Sequence, residues 1–354
     1  MNPTPGISMK KPHLGPGSLS SPPFFGLGLS LIFAAIVLIA RANTFTFPLA
    51  NEDDARFFFP SWNLALYGTL RTPILNAPYG IFWVPHGFYV WLAFFLRIFG
   101  PTVEVAHRVC QLATALAAVL IVVAYARLCG SRTFALLCGL LLVSPGVIFA
   151  ANTIRMESLI LLLVGTGLLL HTYDRRIAAA AIFFLGVVVH PALLIGATLY
   201  AVSIFCADVA LPFFTKSAFP KAKGPLLTIL IVAAVAIAIG IESLYIFHHL
   251  ALFHQHMAIQ IARKAARKPI TLLLSKRGLL LLVELIFTSG LAVFVYRRRH
   301  GWRMFIQKIL PVFLLALGLS AYATFGREIP YNVYAYCVVP ATFFCLTYRV
   351  LQLS

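Results

Sequence analysis

Charge is what this chain has least of, and acidic charge least of all. Of 354 residues only 10 are Asp or Glu and 28 are Lys or Arg, so charged side chains make up 11% of the whole. A soluble domain carries about 25%. A surface facing water on every side cannot be built from so few ionic groups. Hydrophobic residues, at 61%, exceed the soluble share of about 45–50%. Cysteine is present without being arranged: Cys110, Cys129, Cys138, Cys206, Cys337 and Cys345 lie inside or at the edges of apolar runs, with no paired spacing in a loop. That argues against a disulfide framework and a thiolate metal site, and leaves small core residues. Internal repeats, a Gly-rich phosphate loop, a Walker motif and a long hydrophilic domain are all missing. Repeat architectures and P-loop nucleotide chemistry are excluded with them.

Long apolar runs are abundant. They begin at Phe24 and near Val105, Thr133, Ser158, Ile177, Ala192, Pro225, Gly278, Met304 and Tyr331. Runs of this length predict an all-α polytopic membrane protein with about 10 transmembrane helices, within a range of roughly 9–11. Residues 1–23 are rich in Pro, Gly and Ser and carry Lys10 and Lys11, which reads as a flexible cytoplasmic tail. The run from Phe24 to Ala40 follows a long n-region and precedes no small-residue cleavage site. It is therefore read as a retained first helix rather than a signal peptide.

The net charge of +18 reads as basic loops resting on anionic headgroups, not as a nucleic-acid footprint. Short basic connections at Arg127/Arg132, Arg175/Arg176, Lys216/Lys221/Lys223 and Arg297 to Arg303 alternate with connections carrying Asp53/Asp54, Glu157, His190 and Glu328. Placing the basic set in the cytoplasm puts both termini inside and the acidic set outside. This works only if the apolar stretch Trp83 to Phe99 lies at the interface instead of crossing. Pro85, His86 and Gly87 near its start and Arg97 near its end suit an interfacial helix. Lys and Arg then divide almost evenly between the two sides until the outer cluster Arg263 to Arg277 is set aside.

Four groups of residues could carry chemistry. Asn51-Glu52-Asp53-Asp54 holds adjacent carboxylates just after the first span. Their mutual repulsion suits one of them to accept a proton as a general base, while a solvated loop start uses the same residues. Asn152-Thr153-Ile154-Arg155-Met156-Glu157 places an Arg and a Glu where a helix re-enters the bilayer. Such groups either pair to anchor the helix end or face a polar cavity. His248, His249, His254 and His256 precede Arg263, Lys264, Arg267, Lys268, Lys276 and Arg277. If helical, Arg263/Arg267 and Lys264/Lys268 form a basic stripe suited to a lipid phosphate. The histidines, without an acid or Cys beside them, read as an interfacial loop rather than a metal site. Finally, aromatics crowd the first outer loop from Phe57 to Trp91, as a membrane-interface belt or as stacking surfaces for a sugar.

In this order the residues resemble the GT-C-type integral-membrane glycosyltransferases, the superfamily of protein O-mannosyltransferases and lipid A aminoarabinose transferases. The resemblance rests on Asp53-Asp54-Ala55-Arg56-Phe57 with Gly68 following at the family spacing. A Pro-rich aromatic juxtamembrane segment comes next, here Pro85-His86-Gly87-Phe88-Tyr89-Val90-Trp91, ending in Phe99-Gly100. The family's usual Pro-Pro-Leu is replaced by Pro-His-Gly. Arg108, Arg155-Met156-Glu157 and His190-Pro191 occupy further family positions, and the likeness covers roughly residues 24–210.

The resemblance implies a GT-C-like catalytic core over 24–210 with a large first outer loop over 41–104 containing juxtamembrane helices. Residues 211–354 would add transmembrane helices and a basic outer loop over 247–277, with no soluble C-terminal domain. It implies an inverting transfer of a sugar from a polyprenyl phosphate or pyrophosphate to an acceptor glycan, lipid or protein. The site would face the periplasmic side of a bacterial inner membrane and act in the cell envelope. Asp53, Asp54 and Glu157 are the implied catalytic carboxylates, and also the ligands of a divalent cation (Mg or Mn) if one is used. Arg56, Arg108, Arg155, Arg263, Lys264, Arg267 and Lys268 are implied for the donor phosphate, and His86, Tyr89 and His190 for the acceptor or for sugar stacking. The rival reading is a transporter or flippase of a lipid-linked or anionic solute, which requires charges near mid-membrane and mirrored broken helices. Only Glu284 falls deep in a run, and no second half mirrors the first.

Overall fold

The computed structural model describes residues 23–46, 52–72, 82, 84–210, 212–213, 225–265, 302–326 and 337–352, with isolated positions at 279, 283, 286–287 and 290. Among the described residues the protein is all-helical, without strands. The helices are α1 (Pro23–Thr46), α2 (Glu52–Tyr67), α3 (Gly87–Phe99), α4 (Val103–Cys129), α5 (Arg132–Leu140), α6 (Pro145–Asn152) and α7 (Glu157–Thr172). They continue with α8 (Arg176–Val189), α9 (Ala192–Phe205), α10 (Pro225–His248), α11 (Leu250–Ala265), α12 (Leu310–Gly326) and α13 (Val339–Gln352).

Four segments are long and apolar enough to cross a bilayer: Phe24–Ala42, Val103–Cys129, Leu193–Ala210 and Pro225–His248. They mark the chain as a membrane protein. A fifth crossing results if α5 and α6 together make one span, but these two are bent by 70°. The apolar run from Thr133 reads in sequence as one straight helix, and the structure breaks it at Ser144-Pro145. Proline disfavours the α conformation in the residue before it, and Ser144 is extended, with φ −124 and ψ 160. α7, α8 and Phe305–Ala321 are shorter apolar helices. The run expected from Gly278 lies almost wholly outside the described residues.

α4 is the centre of the bundle, packed by α1, α3, α5, α6, α7 and α13. Its ends are set by local chemistry. The Thr102 side chain accepts the Val105 N–H at 3.2 Å, and Gly130 closes the helix at φ 72, a left-handed position that glycine takes without strain. Near the C-terminal end of α4, the buried Tyr125 hydroxyl joins α13 through Thr342 Oγ1 at 2.6 Å. Small residues permit the closest helix crossings, as membrane interiors favour. A Cβ on Gly318 of α12 would stand 2.5 Å from the Gly196 Cα of α9. A Cβ on Gly165 of α7 would lie 3.0 Å from the Ala117 carbonyl oxygen of α4.

α3 is 13 residues long, or about 20 Å, too short for a hydrocarbon core of about 30 Å. It packs beside α2 and crosses the end of α8. Only a residue without a Cβ fits at that crossing: a Cβ at Gly87 would sit 2.7 Å from the Val188 carbonyl oxygen. α10, in contrast, exposes Leu226, Ile229, Leu230, Ile237, Ile241 and Leu244, the outward apolar surface of a lipid-facing helix.

Candidate functional site

The first turn of α2 and the corner between α6 and α7 meet although 100 residues separate them. Asp54 is fully buried, and its Oδ1 accepts the backbone N–H of Ile154 at 3.1 Å. The corner is extended at Thr153 (φ −105, ψ 146), whose hydroxyl donates back to the Phe149 carbonyl at 2.9 Å. Arg155 and Glu157 then both turn inward. Arg155 is 4% and Glu157 1% exposed, and Arg155 Nε lies 3.4 Å from Glu157 Oε2. Buried ions are costly unless paired. Here the guanidinium is shared between Glu157 and the face of Phe57, whose ring centre lies 5.4 Å away. Ser158 Oγ donates to the Arg155 carbonyl at 3.0 Å and ties the corner to the start of α7.

α4 supplies the other wall. His107, Cys110, Gln111 and Thr114 are all buried and recur at intervals of three and four, which places them on one helix face. Cys110 touches Ser158 and the Arg155 backbone, within electrostatic range of Asp54 and Glu157. This polar stripe was not singled out in the sequence, although its helical spacing inside an apolar run was a readable signal.

Of the sequence-derived residues, Asp54, Arg155 and Glu157 are brought together. Asp53 belongs to the first turn of α2 by its backbone, and its side chain lies outside the described residues. Arg56 is half-buried, two residues beyond Asp54 and so about 200° around the helix from it. Arg108 is bound by Glu104 at 3.1 Å on the solvent-facing rim of α4. Arg263 and Lys264 continue α11 by their backbone, which gives the helical register expected of the basic stripe. Their side chains, and Arg267 and Lys268 entirely, lie outside the described residues, as does Glu328. His190 is buried at the extended end of α8, its N–H bonded to the Gly186 carbonyl at 2.8 Å. Among the described residues no group of three or more His, Cys, Asp or Glu has an arrangement that could hold a metal ion.

His86 and Tyr89 join a second cluster that reaches α10. His86 Nδ1 lies 3.0 Å from Glu242 Oε1, and the His86 backbone N–H donates to the same oxygen at 3.2 Å. Phe82 stacks on Tyr245 with ring centres 5.6 Å apart, and its N–H donates to His256 Nδ1 at 3.2 Å. Burial lowers the His256 pKa below its ordinary value. Tyr89 bridges the clusters, 6.0 Å from His86 and 5.9 Å from Phe57 between ring centres. Two aromatic rings therefore connect Arg155 to His86. Nothing in the linear pattern pairs Glu242 with a residue 156 positions away.

Taken together, two carboxylates, a guanidinium and a histidine–carboxylate pair line one side of the bundle around α2, α3 and the start of α7. Comparison with protein-family models, with curated proteins and with solved structures found no match to this chain.

Proposed function

We propose that the protein is a membrane glycosyltransferase of the GT-C type, with about ten spans and its site on the outer side of the membrane. In this reading it moves a sugar from a polyprenyl phosphate or pyrophosphate to a hydroxyl or amine acceptor. The observation that carries the reading is the convergence of Asp54, Arg155 and Glu157 in one buried cluster, joined by the bond from Ile154 to Asp54. Those are residues that the sequence resemblance singles out for this chemistry. Their burial also answers a physical need, because charged groups act more strongly where water is excluded.

Asp53, in the same helical turn, removes the acceptor proton. The freed electron pair forms the new bond to the anomeric carbon, the bond from that carbon to the phosphate oxygen breaks, and the phosphate leaves with its electrons. The configuration at the anomeric carbon inverts. Arg155, held over Phe57, offsets the charge that develops on the leaving phosphate. Asp54 and Glu157 hold the corner and orient the acceptor. A divalent cation would add further charge stabilisation, but the described residues offer no three-ligand set, and no step is assigned to it. Arg108, already bound to Glu104, contributes to the basic rim rather than to the leaving group.

The test is turnover by purified protein against a panel of polyprenyl-phosphate sugars, with release of free polyprenyl phosphate as the readout. Consumption of at least one donor, with inverted product stereochemistry, is expected. A protein that consumes none of them contradicts the proposal.

A further inference from the structure

The histidine–carboxylate pair at the head of α3 has a feature that packing does not explain. His86 is 3% exposed, and Glu242 Oε1 accepts from the His86 backbone N–H while lying 3.0 Å from Nδ1. Glu242 Oε1 accepts from the Nδ1–H, and in the neutral imidazole with that tautomer Nε2 is a lone-pair acceptor. That Nε2 atom is buried and has no hydrogen-bond partner among the described residues. A buried acceptor without a donor carries a desolvation penalty, which a ligand donor removes. Beside it stand the rings of Phe82, Tyr89 and Tyr245, with centres 5.3, 6.0 and 4.8 Å from the imidazole. An uncharged acceptor nitrogen bordered by aromatic faces matches a sugar ring, which offers O–H donors at its edge and C–H groups on its face.

We infer that Glu242 and His86 form a sugar-hydroxyl site: His86 Nε2 receives a hydrogen bond from a ring hydroxyl, and Glu242 is the positioning residue that fixes the imidazole. No proton is transferred. The two rings of Tyr89 and Phe57 carry this site from α10 to Arg155, so it lies along the transfer cluster, and it rests on the glycosyl-transfer reading given above. The sugar can belong to the donor or to the acceptor, and kinetics separates them.

Two measurements test the inference. In the first, His86→Ala and Glu242→Ala are compared with wild type for the KM of each substrate, with folding checked by size-exclusion and thermal unfolding. His86→Ala raises one KM by about 3–10-fold, the loss of one neutral hydrogen bond, with a smaller rise for Glu242→Ala. Added imidazole lowers the His86→Ala value again, which a merely structural role would not produce. A rise in the donor KM assigns the donor sugar, and a rise in the acceptor KM assigns the acceptor. Unchanged KM values in an active enzyme overturn the site. The second measurement needs no turnover: nitrogen-15 chemical shifts of His86 in substrate-free protein at neutral pH. They are expected to show Nδ1 protonated and Nε2 bare, and a proton on Nε2 overturns the inference even if the enzyme is active. A wild type without activity sinks the transfer reading while leaving the histidine tautomer still decisive for the pair.

Discussion

Asp54 has a structural role and a proposed catalytic one, and a single substitution can separate them. Its Oδ1 holds the Ile154 N–H inside the protein, so truncation strands a buried donor. Asp54→Ala is expected to lower stability by about 1–3 kcal/mol, measured by denaturant unfolding in detergent. Asp54→Asn keeps an oxygen for Ile154 and should recover most of that loss while still impairing catalysis. Equal stability losses in the two variants would contradict this division.

His256 gives a pH prediction whose direction follows from its surroundings. Its Nδ1 accepts the Phe82 N–H only while unprotonated, and burial holds its folded pKa below the ordinary histidine value. The unfolded chain therefore binds the proton more readily. The stabilisation is present above the ordinary value and is lost as pH falls through the lowered folded pKa. Amide exchange at Phe82 should accelerate on acidification from pH 7.5 to 5, and His256→Asn, which keeps an acceptor but cannot titrate, should abolish that response. A pH-sensitive Asn variant would contradict the assignment of this response to His256. At this scale the sequence was informative about residue types and silent about partners. Asp54 stood out as part of an acidic triplet after the first span, and Arg155 and Glu157 as ions where a helix re-enters the bilayer, whereas the Glu242–His86 pair depends on a tertiary contact that no local pattern encodes.

Helices meet where side chains are absent, and two glycines make that testable. Gly87 lets α3 approach the Val188 carbonyl, and Gly318 lets α12 touch Gly196. Either Gly→Ala change forces backbone apart and should cost about 1–3 kcal/mol. Gly26→Ala, which meets nothing within 4 Å, serves as the neutral control. Gly87→Ala should also lower turnover, because the same crossing carries His86. Tolerance of both changes would show that the helices can slide apart freely. Helix existence was legible from the apolar runs, and α3 was expected at the interface from Pro85, Gly87 and Arg97. The bend between α5 and α6 was overlooked, although Ser144-Pro145 is the physical signal for it, because hydropathy alone registers a continuous apolar stretch.

At the scale of the whole molecule, the acids carry more information than the net charge does. The bond from Ile154 to Asp54 requires the head of α2 and the corner before α7 to share one side of the membrane. The opposite end of α7 forms a separate ionic group, with Lys308 at 2.8 Å from Asp174, about 24 Å away along the helix. Single cysteines introduced at positions 69 and 152 should therefore label from the same side with an impermeant reagent, and one at position 175 from the other. A flippase would use such charges along a path across the bilayer, but the buried ions described above gather at one end of α7.

The central claim is that the carboxylates at the head of α2 and at the start of α7 transfer a sugar. The most direct measurement is the rate of donor consumption by wild type, Asp53→Asn and Glu157→Gln, each purified and shown to be folded. Asp53→Asn is expected to lose about 10²–10⁴-fold, the usual contribution of a general base, with a smaller but clear loss for Glu157→Gln. Full activity in Asp53→Asn would contradict the account.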